Sequence, residues 1–234
     1  MTRVQHGDHH YFVLSTTDAD ASRRFFTELL GWRFEQGELT NLAFFGSLTD
    51  SHERSIWIHV DDRDAACDRV RELGGTVEAT TDERSGANAI CRDDQGNRFH
   101  FGTLIEEFRN YPHPPAAPIG ELGYFTYPVG DTALGAAFYG ALFGWEFTAP
   151  GEAGVQADYR HCTNGTLPFG LTAGGEISPA FYFVGSDLER AATQIQTLGG
   201  EVGTRIHSET GDTLAGCCDP TGVRFALWAP APGF

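Results

Sequence analysis

The sequence predicts an α+β protein made of four strand–helix–three-strand (βαβββ) modules, paired into two domains. A helical segment that ends in Gly-Trp occurs at 21–34 and again at 135–147. Its Phe-Phe or Phe-Tyr pair returns after 138 − 25 = 113 residues, about half of the 234-residue chain. A second helical segment ending in Leu-Gly-Gly and a closing Gly-x-Arg-Phe turn also occur once in each half. Because internal repeats indicate architecture before local detail does, these features predict that both halves follow one plan.

The first repeated element is an amphipathic helix that follows a strand. Its apolar residues fall on one helical face in each copy, at 25, 26, 29 and 30 and at 134, 138, 139 and 142. Asp18 or Asp20 is placed to cap the first copy. Gly31 and Gly144 stand where a helix ends in the left-handed conformation. The preceding strands are expected at 11–16 and 124–129.

The second module opens with an alternating strand at 55–60. Its two faces carry Ile56, Ile58 and Val60 on one side and Ser55, Trp57 and His59 on the other. Asp61 or Asp62 caps the following helix, and Gly74-Gly75 ends it. After a turn at 93–97, a last strand places Phe99 and Phe101 beneath helices, and Arg98 and His100 on the opposite face.

A proline-rich segment separates the two halves. Prolines at 112, 114, 115 and 118 predict a linker over 104–118, between an N-terminal domain, 1–103, and a C-terminal domain, 119–234. The module order then repeats and closes on the turn and strand at 219–227.

Composition restricts the partners. A formal charge of −16, from 16 basic and 32 acidic residues, argues against nucleic acid and anionic membranes. No apolar run approaches the ~20 residues of a membrane helix, and residues 1–10 lack the apolar core of a signal peptide. Five cysteines without a C-x-x-C pair predict reduced, buried thiols in a cytoplasmic protein. We expect a monomer or homodimer.

These marks together resemble the glyoxalase/bleomycin-resistance/extradiol-dioxygenase group, the vicinal oxygen chelate superfamily. They are Phe-Phe/Tyr-x-x-Leu-Leu/Phe-Gly-Trp, Leu-Gly-Gly and Asp-x-x-Gly-Asn/Val-Arg-Phe, and they cover nearly the whole chain outside the linker. The pattern is most similar to two-domain, four-module glyoxalase-like proteins. The resemblance implies two glyoxalase-like domains, each a curved mixed sheet around a cavity with helices outside. It does not select an activity, because one fold hosts many chemistries.

The resemblance also indicates where a metal would be held. Metal-dependent members use four inward His or Glu ligands. In this chain those positions fall at Tyr11, near Gly46, at Ser55 and at His100, and in the second half at Tyr124, near Gly170, about Ala180 and at Ala226. Because a divalent metal needs several N or O ligands in fixed geometry, one histidine is insufficient. We therefore expect no metal and no cofactor.

The candidate site is the inward face of the N-terminal domain. The residues expected to line it are Tyr11, Ser55, Trp57, His59, Arg98 and His100, and Tyr124 is expected to line the C-terminal cavity. The N-terminal set offers stacking surface, a positive charge and two imidazoles, whereas Ala226 replaces His100 in the second half. An ion pair of Arg98 with Asp93 or Asp94 is the competing explanation for that arginine.

Two classes of function fit this face. An aromatic, metal-free cavity is typical of a protein that binds an aromatic or amphipathic metabolite or drug, as drug-sequestering relatives do. Alternatively, His100, His59 and Tyr11 are catalytic and move protons in a metal-independent lyase, isomerase or cyclase. A metal-dependent glyoxalase or dioxygenase comes third. The lack of an evident inward carboxylate to orient a histidine favours binding, and His9 and His10 are expected to lie in a solvated N-terminus.

Overall fold

The computed structural model describes residues 2–50, 53–111, 119–149, 158–174 and 179–232. Within that part of the chain, the helices are α1 Ala19–Leu30, α2 Arg63–Glu72, α3 Thr132–Phe143 and α4 Leu188–Thr197. The strands of the first half are β1 Thr2–Arg3, β2 His9–Ser15, β3 Phe34–Glu35, β4 Glu38–Leu39, β5 Phe45–Thr49, β6 Ser55–His59, β7 Thr76–Glu83, β8 Gly86–Arg92, β9 Arg98–Leu104 and β10 Asn110–Tyr111. Those of the second half are β11 Leu122–Val129, β12 Tyr159–His161, β13 Phe169–Ala173, β14 Ala180–Val184, β15 Thr204–Ser208, β16 Gly211–Cys218 and β17 Arg224–Pro230.

Most described strands belong to two mixed sheets, one from each half of the sequence. The first has the order β3-β4-β5-β2-β6-β9-β8-β7, and the second has the order β12-β13-β11-β14-β17-β16-β15. In both sheets the first strand of the closing module pairs parallel with its last strand, as β6 with β9 and β14 with β17. The α+β class and the repeated strand–helix–strand plan are confirmed.

The helix ends follow the expected chemistry. The Asp18 carboxylate accepts a hydrogen bond from the Ala21 N–H at 3.0 Å, and Asp62 caps α2 through the N–H groups of Asp64 and Ala65. Gly31 and Gly144 end α1 and α3 with φ of 71° and 75°, where a Cβ would be strained.

The chain divides into two compact units that each combine separate segments. The first contains Met1–Tyr11, Ser55–Pro112 and Thr126–Pro179, and the second contains Phe12–Arg54, His113–Phe125 and Ala180–Phe234. Each unit therefore takes residues from both halves of the sequence. The predicted domain boundaries at 103 and 119 stay a prediction.

The core of the first unit lies on one face of β6 and β9. Ile56 and Ile58 are buried there, and the Phe99 and Phe101 rings pack against Phe138 and Phe143 of α3, with centroids 5.9 and 6.2 Å apart. This confirms the alternation predicted for 55–60.

Two polar contacts close the same core. The indole N–H of Trp145 donates to the Gly7 carbonyl at 2.9 Å, and the Tyr139 hydroxyl donates to the Asp93 carboxylate at 3.0 Å. Buried donors and acceptors are thereby paired.

The second unit repeats this construction with other residues. The Phe25 and Phe26 rings of α1 meet Phe225 of β17 at 5.8 and 5.2 Å. The indole N–H of Trp32 donates to the Gly120 carbonyl at 2.9 Å, as Trp145 does to Gly7 in the first unit. The equivalent contact in both units shows that the Gly-Trp repeat holds the segment before each first strand.

The start of the predicted linker is structured. Residues 106–108 form a 3-10 turn, and Asn110–Tyr111 pairs antiparallel with Thr2–Arg3. The four prolines lie in 112–118, outside the described residues. In the part of the chain that is described, no helix has the length and apolar character needed to cross a membrane.

Candidate functional site

Trp57 and His100 form the centre of the candidate site. They are direct neighbours across the parallel β6–β9 pair, on the face opposite Ile58 and Phe101. Their ring centroids are 4.9 Å apart at an interplanar angle of 47°. His100 is buried and Trp57 is half-buried, so the indole has surface available to a planar ligand.

His59 is the next residue of β6 on the same face, and it pairs with Gly102 of β9. Its side chain is fully buried, and its Nδ1 accepts a hydrogen bond from the Leu104 N–H at 3.2 Å. Burial, and to a lesser degree the Arg109 guanidinium, lowers the pKa of His59 to about 4. The imidazole is therefore neutral at neutral pH, and because Nδ1 accepts, the proton is on Nε2.

The expectation that His9 and His10 lie in a solvated N-terminus is wrong. They are 2% and 8% exposed, because β2 begins at His9 and carries both side chains into the first unit. The His9 ring stacks on Trp145 with centroids 5.0 Å apart. Burial, followed by the neighbouring His10, lowers the pKa of His9 well below its ordinary value. Burial and then His59 lower the pKa of His10 to about 3.

A short sequence repeat carried the signal for these histidines. Gly7-Asp8-x-x-Tyr11-Phe12 matches Gly120-Glu121-x-x-Tyr124-Phe125 at the same 113-residue offset, 120 − 7. Because the glycine and the acidic residue recur in both halves, the segment belongs to the repeated fold. In the structure, the carbonyl groups of Gly7 and Gly120 each accept a hydrogen bond from an indole N–H.

The Arg98 guanidinium pairs with Glu78 rather than with Asp93 or Asp94. Its Nε lies 2.7 Å from a Glu78 carboxylate oxygen, and Arg92 contacts the other oxygen of the same carboxylate. Asp93 is instead committed to the turn, where it accepts from the N–H groups of Gln95 and Asn97. The carboxylate that pairs with Arg98 of β9 therefore comes from β7, the edge strand on the far side of β8.

Tyr11, Ser55 and Tyr124 complete the predicted set. Ser55 is buried and Tyr11 is half-buried, and both belong to the first unit with Trp57, His59, Arg98 and His100. Tyr124 belongs to the second unit, where its ring contacts Tyr182 at 5.5 Å between centroids. Tyr182 pairs with Ala226 as Trp57 pairs with His100, so this face has a phenol in place of the indole and a methyl group in place of the imidazole.

Asn88 is a residue of this face that sequence reasoning missed. It is paired with Gly102 across β8 and β9, while His59 is paired with Gly102 across β6 and β9. The Asn88 side chain lies over Gly102, in the place that a Cβ on that residue would need. The position of Asn88 depends on the register of β8, and the turn at 84–86 sets that register. Hydrophobic periodicity alone does not reveal it.

The residues at the superfamily's ligand positions do not fit a metal. A side chain at Gly46 would collide with the Phe12 ring, and one at Gly170 would collide with the Tyr159 ring. The remaining first-half positions supply a phenol, a hydroxyl and one imidazole. Among the described residues, no group of three His, Cys, Asp or Glu side chains is arranged to hold a metal ion.

A shallow cavity lies at the N-terminus of α2. It measures about 210 Å³ and is lined by Asp61, Asp62, Arg63, Asp64, Ala87 and Thr103. Asp62 caps α2, and Arg63 pairs with Asp64 and Asp82. Its charged groups thus form contacts within the protein.

Comparison with known proteins identifies the fold. A family model described as a glyoxalase-like domain matches residues 11–101. The fold is similar to that of a catechol 2,3-dioxygenase, with 16% identity over 99% of this chain and 91% of that chain, and a TM-score of 0.64. No curated protein matches the sequence.

Two further solved structures are similar to this chain over its whole length. Homoprotocatechuate 2,3-dioxygenase from Brevibacterium fuscum, in complex with 3,4-dihydroxyphenylacetate, shows 16% identity over 99% of this chain and 84% of that chain, with a TM-score of 0.69. The 2,3-dioxygenase LapB from Pseudomonas sp. KL28 shows 14% identity over 100% of this chain and 96% of that chain, with a TM-score of 0.62. The glyoxalase-like family model thus matches the first half of the chain, and the solved dioxygenase structures share the fold of the whole chain.

Proposed function

We propose that this protein binds a planar aromatic small molecule on the Trp57–His100 face without a metal ion. The observation that carries this proposal is the indole placed against a buried imidazole, with its outer surface accessible. Binding pockets combine aromatic walls with a few polar anchors, and an aromatic ligand stacked on Trp57 would have His100 at its edge. The structural neighbours that act on catechol and homoprotocatechuate support an aromatic ligand class.

The alternative, a metal-independent lyase or isomerase, is weaker at one of its three residues. A general acid or base works best with a pKa near the operating pH, whereas the pKa of His59 is about 4 and its Nδ1 is already hydrogen-bonded. His100 and Tyr11 remain the proton-transferring candidates of that alternative. The enzyme alternative would be favoured if the wild-type protein turned over a bound ligand and His100→Gln still bound that ligand without turnover.

Calorimetric titration with catechol and 3,4-dihydroxyphenylacetate tests the proposal. Trp57→Ala and His100→Ala should each weaken binding at least tenfold, about 1.4 kcal/mol, because they remove the stacking surface and its polar edge. Tyr124→Ala is the matched control, since Tyr124 belongs to the other unit, and its affinity should change little. If Tyr124→Ala has the larger effect, the site lies on the second face. If wild-type protein binds neither probe, the proposal fails.

A further inference from the structure

The two halves of the sequence differ sharply at one equivalent place. In the second half, the position of Gly123 is closed in by Val184 and the Trp228 ring, 2.8 and 3.0 Å from where a Cβ would lie. Val184 and Trp228 are direct neighbours across β14 and β17. An indole thus fills this corner of the second sheet.

In the first half, the same corner is bordered by two histidines and a glycine. His10 corresponds to Gly123, 123 − 10 = 113, and Gly102 corresponds to Trp228, 228 − 102 = 126, the offset that also relates Gly96 to Gly222. His59 takes the place of Val184 beside Gly102. Gly102 itself has no side chain, and the Asn88 amide oxygen lies where its Cβ would be. Imidazoles replace the hydrogen atom of Gly123 and the isopropyl group of Val184.

Both imidazoles present a buried nitrogen without a hydrogen-bond partner. The Nε2 atoms of His10 and His59 are shielded from solvent, and neither has a hydrogen-bonding partner among the described residues. The nearest acidic oxygen, on Asp61, lies 3.6 Å from His59 Nε2, which is too long for a hydrogen bond. A buried polar atom left unpaired costs about 1–3 kcal/mol, so a polar atom from elsewhere is expected in this corner.

We propose that His10 and His59 bind an uncharged hydroxyl group of the aromatic ligand through their Nε2 atoms. His59 is fixed as the donor, because its Nδ1 accepts from Leu104 N–H. A hydroxyl oxygen accepts from His59 Nε2–H, and its proton is donated to His10 Nε2 when His10 carries its own proton on Nδ1. This inference rests on the proposed function and specifies the ligand as a phenol or an alcohol, with His10 as a binding residue.

Phenol and toluene, which have nearly the same shape, separate this inference from the proposed function. Wild-type protein should bind phenol about tenfold more tightly than toluene in calorimetric titration, and His10→Leu or His59→Leu should abolish that preference while retaining toluene binding. Equal binding of both probes by wild type would overturn the two-histidine site and leave the aromatic site standing. Binding of neither probe would overturn both.

Two controls keep the outcome interpretable if a leucine variant fails to fold. His161→Leu removes a half-buried imidazole of β12 and should leave the phenol preference unchanged. Imidazole ¹⁵N spectra of the unaltered protein should show a shift of the His10 and His59 Nε2 resonances on adding phenol and none on adding toluene. A shift confined to His100 would contradict the proposal.

Discussion

Burial of two imidazoles makes the first unit sensitive to acid. The pKa values of His10 and His59 are about 3 and 4 in the folded chain, below the ordinary value of 6.5. Between those values the unfolded chain binds protons that the folded chain does not. The free energy of unfolding should therefore be fully retained above pH 6.5 and fall as the pH decreases towards 4.

For His59 the expected loss between pH 7.5 and pH 5 is about 2 kcal/mol. Urea denaturation at the two pH values, compared between wild type and His59→Gln, measures it. The variant should lose less stability on acidification, because a glutamine side chain does not titrate. The charged and titratable neighbours of His59, namely Asp61, Arg109, His6 and His10, are present in both proteins. An identical pH dependence in both proteins would show that His59 titrates normally.

At the scale of the element, the Gly-Trp repeat is a pair of equivalent anchors. Trp32 and Trp145 are buried, and each donates one hydrogen bond of 2.9 Å to the carbonyl of a glycine before a first strand. Either Trp→Phe change removes that bond, leaves a buried carbonyl unpaired and opens a small cavity. We expect each to lower the free energy of unfolding by about 2–4 kcal/mol.

The matched control for these anchors is Trp57→Phe, at a half-buried indole on the open face. Its effect on unfolding should stay within roughly 1 kcal/mol, because no core volume is lost. Chemical denaturation followed by circular dichroism compares the three variants. A large effect of Trp57→Phe with small effects at Trp32 and Trp145 would reverse the assignment of core and open face.

The elements differ in how far sequence could predict them. Caps at Asp18 and Asp62 and stops at Gly31 and Gly144 are local, so their residue chemistry determines them. The burial of His9 is not local, because its ring stacks on Trp145, distant in sequence. The Arg98 partner likewise lies on β7, which is separated from β9 by β8 and whose register includes a bulge between Val77 and Ala79.

For the whole molecule, the donor set at the superfamily's ligand positions predicts the metal content. Tyr11, Ser55 and His100 provide one imidazole, and the equivalent second-half positions provide Tyr124 and alanines. Elemental analysis of protein expressed with added Zn, Ni, Fe and Mn should find less than one tightly bound metal ion per chain. One stoichiometric ion that survives dialysis would contradict this, and loss of that ion in His100→Ala would locate it.

The composite units also bear on proteolysis. The chain passes from one unit to the other five times, after residues 11, 54, 112, 125 and 179. A protease that cuts once, for example among the prolines that begin at Pro112, leaves two fragments that each contain segments of both units. No single cleavage can release either unit as an intact fragment. A chain cut once therefore contains both units, with the segments of each held together by non-covalent contacts, and it does not yield a separate domain.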